Sequence, residues 1–363
     1  MRFVFYTNET EKYAGVRHRV LKFAERLAAE GHECVFCPPA PLSQWRLLYE
    51  NRSRTAKLAY LALVLLRRLA QLRHAPGADA VFLKGALFPY GPPLLERLLH
   101  RLNPRMVIDV DDAMWEPPAY VDSPFVRFMD LGWAAKMARM AREVIAGNGV
   151  IEAYFREHGA RSVTVIPTCI DMERHTQKTY PERKADSPVV LGWTGVRDNL
   201  GYLRAILPAL RELAARRPVE LLVVSDGDFT ADGLTVRNRP WTETAEIANL
   251  QEPDIGLMPL EDTPRARGKC AFKALQFMGV GTPVVLSPVG MNRDAVEDGV
   301  SGFLADTRQE WLDRLEQLAA SPALREQMGR AARARAAECY SYDAHHPVFR
   351  GVMERAAERK GRG

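Results

Sequence analysis

The chain has 363 residues, 47% apolar and 26% charged, with a formal net charge of +5 and a pI near 8.9. This is ordinary globular composition, with core material for two or three domains. Dense basic patches interleaved with aromatics are missing, which argues against a nucleic-acid partner, and no apolar run approaches the ~20 residues needed to span a bilayer.

"RFVFYT" opens the chain as a strand and is too short for a signal peptide's apolar region, so the sequence predicts a cytoplasmic protein. A polar loop with Gly15, Arg17 and Arg19 leads into the amphipathic helix "VRHRVLKFAERLAAEGHE", and "CVFC" starts the next strand: a βαβ unit. The Cys34/Cys37 pair has no second CxxC or histidine pair, so buried reduced thiols are predicted rather than a metal or redox site. "RSRTAKLAYLALVLLRRLAQLRH" is a basic, strongly apolar helix pattern. It reads either as a buried domain helix or, through residues 52–73, as a peripheral contact with the inner face of an anionic membrane. Strands follow at 80–85, 106–112, 143–148 and 162–168 with helical patterns between most of them, which predicts a doubly wound parallel α/β sheet over residues 1–170.

Residues 171–187 are polar and irregular and read as a linker. Strand–helix alternation restarts at "VVLGWTG" and continues over 188–338 as a second Rossmann-like domain, so a ligand-binding cleft between two sheets is expected. The final segment is mostly helical, and residues 339–363 are placed as a helix packing back on the first domain.

In "RARGKCAFKALQFMGVGTPVVLSPVG", residues 265–290, Arg267, Lys269 and Lys273 precede or open a short apolar helix pattern. A helix start offers unpaired N–H groups and a positive dipole end, so phosphate suits it; the plain alternative is a solvated charged helix start.

With "VLGWTG", "PDIGLMPL" and "VEDGVSGFLAD" around it, this stretch resembles the donor-binding domain of glycosyltransferase family 4. "AGVRHRVLKFAERLAAEGHE", "VIDVDDAMW" and "VIAGNGVIEAYF…VTVIPTCID" resemble that family's N-terminal domain, in the same order. The resemblance implies the GT-B architecture, two Rossmann-like domains facing across a cleft, and a retaining enzyme. Such an enzyme moves a sugar from a nucleotide-diphosphate sugar to a hydroxyl acceptor. A saccharide or lipid-linked saccharide of cell-envelope or polysaccharide biosynthesis is the default acceptor, with a small molecule as the alternative.

Lys269, Lys273 and Gln276, spaced i, i+4, i+7, are predicted to share one helix face, with both amines on a diphosphate and Gln276 reaching a ribose. The family normally has two glutamates here; this chain has Gly268 and Gln276 instead, and a glutamine lacks the charge-assisted bond. Gly195 permits close approach of a pyrophosphate, with Arg197 beside it, and the loop of Gly15, Arg17 and Arg19 is placed at the donor phosphate or the acceptor.

"DVD", Asp109 to Asp111, matches a metal-binding pattern of the other large glycosyltransferase fold. With two αβ halves and cations available for phosphate, no metal or other cofactor is predicted. Asp111 and Asp112 are read as carboxylates that hold sugar or acceptor hydroxyls or deprotonate an acceptor, against the plain reading of cap and turn residues. Two other functions stay open: an epimerase-like sugar-nucleotide hydrolase on the same fold, and a non-catalytic nucleotide-sugar-binding scaffold.

Overall fold

The structure, a computed structural model, describes residues 1–48, 53–117, 128–180 and 187–358. The chain divides into two compact units, Met1–Thr168 with His345–Gly363, and Cys169–Ala344.

The first unit is built on six parallel strands: β1 Arg2–Thr7, β2 Glu33–Cys37, β3 Ala80–Lys84, β4 Met106–Val110, β5 Glu143–Ala146 and β6 Val163–Val165, in the order β2-β1-β3-β4-β5-β6. Runs such as "AVFLK" and "MVIDV" are buried at every position, as strands covered on both faces must be. The chain steps one way from β1 to β2 and the other way from β2 through β6. Right-handed crossovers therefore put the helix Lys22–Ala29 on one face and the later helices on the other. The C-terminal helix Tyr342–Ala357 packs on the first of these faces: the Phe349 ring stacks on Phe23 with centroids 4.3 Å apart and lies 5.6 Å from Phe82.

The second unit repeats the plan with β7 Val189–Thr194, β8 Val219–Ser225, β9 Thr235–Pro240, β10 Ile255–Met258, β11 Val284–Leu286 and β12 Phe303–Leu304. The order β12-β11-β10-β7-β8-β9 reverses direction between β10 and β7. At such a switch point the loops leave in opposite directions and open a crevice beyond the strands' carboxyl ends. The helix Phe272–Gly279 lies tight against β10 because residue 256 is glycine; a Cβ there would sit 2.6 Å from Cγ of Phe277. That contact fixes where the helix start, and so Lys273, is held.

One sequence reading changes. Residues 171–180 are not a free linker but fold onto the second unit. Ile170 bridges Ser341, Tyr180 donates from its hydroxyl to the Gly281 carbonyl at 2.5 Å, and Lys178 donates to the Pro253 carbonyl. The rest of that segment, 181–186, lies outside the described residues, as does Arg52 of the basic helix pattern. That pattern forms the helix Arg54–Gln71, and only part of it is buried. Cys34 and Cys37 are free thiols on β2, both pushed up to about 11 by burial.

Candidate active site

At the β7–β10 switch point the sequence places a glycine at the end of a strand and a lysine at the start of a helix. The structure brings them together. The Lys273 amine stands 4.4 Å from the centroid of the Trp193 ring. It lies so close to Gly195 that a Cβ there would overlap it and would approach Cη2 of Trp193 to 2.7 Å. Burial, then the charge of nearby Lys269, pushes the Lys273 amine down to about 7. A desolvated amine at the switch point, with a second cation near it, is arranged to receive an anion.

The shared helix face does not form as predicted. The helix begins at Phe272, and Ala271 before it adopts a left-handed conformation at φ 50°, uncommon for a residue with a Cβ. The shorter helix Pro264–Arg267 ends at Gly268, so Lys269 lies in the turn between two helices, with only Lys273 and Gln276 on the second. Arg267 is paired with Asp262 at 2.6 Å.

Gln276 also differs from its reading as a ribose ligand. It is 5% exposed, and its amide donates to Glu246 Oε1 at 3.1 Å. Glu246 is itself buried, ion-paired to Arg174 at 2.8 Å, and accepts from Trp241 Nε1 at 3.3 Å. Sequence reasoning missed Glu246 because it is 30 positions away in a short polar helix. Arg197 follows β7 on an exposed turn, where its backbone N–H and side chain bind Asp226. It is one half of a surface ion pair.

The first unit gathers a second polar cluster at the carboxyl ends of β1, β3 and β4. Arg19 and Asp109 are 2% and 1% exposed. The guanidinium grips the carboxylate through Nε at 2.9 Å and Nη2 at 2.5 Å, and also donates to Thr168 Oγ1 and the Ile166 carbonyl. Arg19 is therefore a buried cation already engaged by a carboxylate, a hydroxyl and a carbonyl. Arg17 turns back onto its own loop, donating to the carbonyls of Glu11 and Lys12. Gly15 places its backbone beside the cluster: a Cβ there would lie 3.6 Å from Oδ2 of Asp111.

Lys84, at the end of β3, pairs with Asp111 and lies 3.6 Å from Asp109. Burial would raise the Asp111 carboxyl, but Lys84 and Arg19 outweigh it and hold it below the usual carboxylate range. A carboxylate held so acidic is a weak base, so Asp111 suits holding a hydroxyl better than deprotonating one. Asp112 caps its own turn, accepting from Ala113 N–H at 3.0 Å. Glu9, in the loop after β1, is raised to about 7 by burial and by Asp111, against the pull of Lys84. Sequence inspection singled out neither Lys84 nor Glu9. Among the described residues no three His, Cys, Asp or Glu side chains gather as a metal site, and the aspartates of "DVD" face cations already in place.

Comparisons with known proteins agree with this architecture. Residues 14–169 match the family model described as glycosyl transferase 4-like domain, and residues 189–321 match that described as glycosyl transferases group 1. Two curated relatives are named D-inositol 3-phosphate glycosyltransferase. That of Arthrobacter sp. (strain FB24) is 29% identical over 193 residues, covering 47% of this chain and 45% of its own. That of Corynebacterium urealyticum is 28% identical over 195 residues, covering 46% and 45%. The match thus spans about half the length of each.

Among solved structures, sucrose-phosphate synthase from Thermosynechococcus elongatus superposes with a TM-score of 0.70 at 15% identity, over 98% of both chains. HepE of Anabaena, solved with UDP-glucose, gives 0.68 at 14% identity over 97% of this chain and 99% of its own. At these identities the superpositions speak to the fold: two Rossmann-like units of the GT-B type. With one family model on each unit, in family order, the chain belongs to the family 4 glycosyltransferases.

Proposed function

We propose that this chain transfers a sugar from a nucleotide-diphosphate sugar to an acceptor hydroxyl, with retention at the anomeric carbon and without a metal ion. The observation that carries the proposal is the Lys273 amine held against Gly195 and Trp193 at the β7–β10 switch point. The curated relatives are named as glycosyltransferases, and the UDP-glucose bound to HepE supports a nucleotide-sugar donor.

When the bond between the anomeric carbon and the diphosphate breaks, negative charge grows on the leaving phosphate. Lys273, with Lys269 nearby, is placed to neutralise that charge, the moment at which electrostatic stabilisation accelerates a reaction most. Burial and Lys269 push the amine down to about 7; a bound diphosphate draws a proton onto it. The acceptor oxygen then bonds to the anomeric carbon on the face the phosphate leaves, and its proton passes to the departing phosphate oxygen. In the first unit, Lys84, Asp111 and Glu9 form the polar cluster we assign to the acceptor, which we take to be a saccharide hydroxyl of envelope polysaccharide synthesis.

The test is turnover of a panel of nucleotide sugars with saccharide acceptors, the product anomer read by NMR. A transfer product of inverted configuration would refute retention. Free sugar as the only product, acceptor or not, would make the chain a hydrolase. Donor binding without turnover would make it a scaffold.

A further inference from the structure

The helices after β2 and β3 present leucines to the outside. On Arg54–Gln71 these are Leu58, Leu65, Leu66 and Leu69; on Leu94–Leu102 they are Leu94, Leu98 and Leu102. Leu66 is 67% and Leu94 61% exposed, and these seven are all the exposed leucines among the described residues. The spacing puts each set on a single stripe of its helix.

Both crossovers, β2 to β3 and β3 to β4, run the same way along the sheet, so both helices cover the same face. Leu87 ties them together: its carbonyl accepts from Arg68 Nε at 3.0 Å and its N–H donates to Glu96 Oε1 at 2.8 Å. Exposed Phe128 adjoins the second helix, its carbonyl accepting from Gly91 N–H at 2.8 Å.

Among the described residues, the exposed charges on these two helices have one sign. Lys57, Arg73, Arg97 and Arg101 are exposed on or beside the two helices. The only acids in residues 53–108 are Asp79 and Glu96. Glu96 is buried, and Asp79 accepts from the Arg2 backbone N–H at the amino end of β1. An isologous pairing of two copies would set this patch against itself, arginine against arginine with no exposed acid between. An apolar stripe rimmed by cations instead matches the headgroup and acyl boundary of an anionic bilayer. No helix among the described residues is long and apolar enough to cross a membrane, so contact would be in the plane of the surface.

We propose that the leucine stripes of Arg54–Gln71 and Leu94–Leu102 form one docking face that lies on an anionic phospholipid bilayer, leucines inserted and arginines at the headgroups. The full chain should sediment with vesicles containing phosphatidylglycerol, less with pure phosphatidylcholine, and less as salt rises. The double variant Leu66→Glu/Leu98→Glu should lower partitioning about tenfold or more, with parent-like circular dichroism and melting. Val300→Glu, at an exposed valine of the second unit, should leave it unchanged. As an independent arm, Arg97→Gln/Arg101→Gln should weaken binding to anionic vesicles and leave the residual phosphatidylcholine binding alone. The proposal fails if neither vesicle binds the protein, if Val300→Glu matches the leucine variant, or if salt has no effect. It also fails if the parent is a dimer in sedimentation velocity that the leucine double variant dissociates, which would give the face to a second copy.

Discussion

The Lys273 ammonium lies 4.4 Å from the centroid of Trp193, a residue whose strand ends at the neighbouring Thr194, so one cation reports on both sides of the switch point. The indole face attracts a cation that burial otherwise disfavours. Removing this cation tests the donor assignment most directly. Lys273→Ala should lose about a hundredfold in turnover, corresponding to about 3 kcal/mol of transition-state stabilisation. The loss should exceed the loss in donor affinity, because the leaving-group charge grows only as the bond breaks. A variant within about twofold of the parent in both constants would reduce the lysine to a helix-start cation.

The same amine sets a pH dependence. Its empty-state value is about 7, and a bound diphosphate raises it. Donor affinity should therefore be full below about pH 7 and decline as pH rises toward the bound-state value. Binding at pH 8 should take up a proton, visible in calorimetry as an enthalpy that changes with the buffer. For folding, the lysine value is lowered from its ordinary 10.5, so the unfolded chain binds more protons between the two values and stability rises with pH across that window. Lys273→Met should thus raise the melting point of the empty protein at pH 7 and gain less at pH 10. Donor binding by this variant that still took up the proton would place the titrating group elsewhere.

Gly195→Ala should disable the same site from the other side. The added methyl would overlap the Lys273 amine and press Cε at 2.8 Å and the indole at 2.7 Å. The lysine tip can move, but the buried Trp193 indole must repack, so the variant should fold with a lowered melting point while donor binding and turnover fall together. Wild-type kinetics in a folded Gly195→Ala protein would show that the lysine position is not needed.

Much of this was legible in the sequence, for physical reasons. β3, β4 and β5 are short, fully buried runs, apolar but for one charged residue each, as expected of covered parallel strands, and Gly195 and Lys273 sit at the strand end and helix start where phosphate chemistry is sought. What stayed hidden depends on pairings distant in the chain. The spacing of the first loop does not reveal that Arg19 is held by Asp109, 90 positions on. Lys84 is the last residue of an apolar strand and Glu246 the first of a short helix, and no motif marks either. In "LLERLLHRL" both Leu98 and Leu99 fit an apolar stripe; only the fold buries Leu99 and leaves Leu98 outside. The i, i+4, i+7 spacing failed because Ala271 breaks the helix before Lys273.

The buried pair Arg19–Asp109 predicts an asymmetric stability response. Asp109→Ala leaves a buried guanidinium with one charge partner gone and should cost about 3–5 kcal/mol, measured by urea unfolding. Replacing both residues by apolar ones of similar volume should cost less than the single change. An Asp109→Ala protein as stable as the parent would show that the pair does not organise this end of the sheet. Addition of EDTA should leave the parent's transferase activity intact, since Arg19 and Lys84 already neutralise Asp109 and Asp111; loss of activity with rescue by manganese would restore a metal role to these aspartates.

Gln276 gives the last prediction, because it separates the family pattern from this chain's own packing. Its amide donates to the buried Glu246 carboxylate at 3.1 Å. Gln276→Ala should leave Glu246 short of a donor and cost about 1–3 kcal/mol of stability. Gln276→Glu, which restores the residue type usual in the family, should behave worse near neutral pH. It sets a second carboxylate against Glu246, and two carboxylates in hydrogen-bond contact cannot both ionise freely. One of them is then raised in the folded state above its unfolded value. Its contribution is present at acid pH and lost as pH rises through the raised value. Melting of Gln276→Glu should therefore approach the parent near pH 5 and fall away by pH 8, while Gln276→Ala shows a deficit that changes little with pH. If Gln276→Glu melts like the parent at pH 8 and binds donor more tightly, Arg174 alone compensates both carboxylates, and position 276 faces the ribose instead of serving the core.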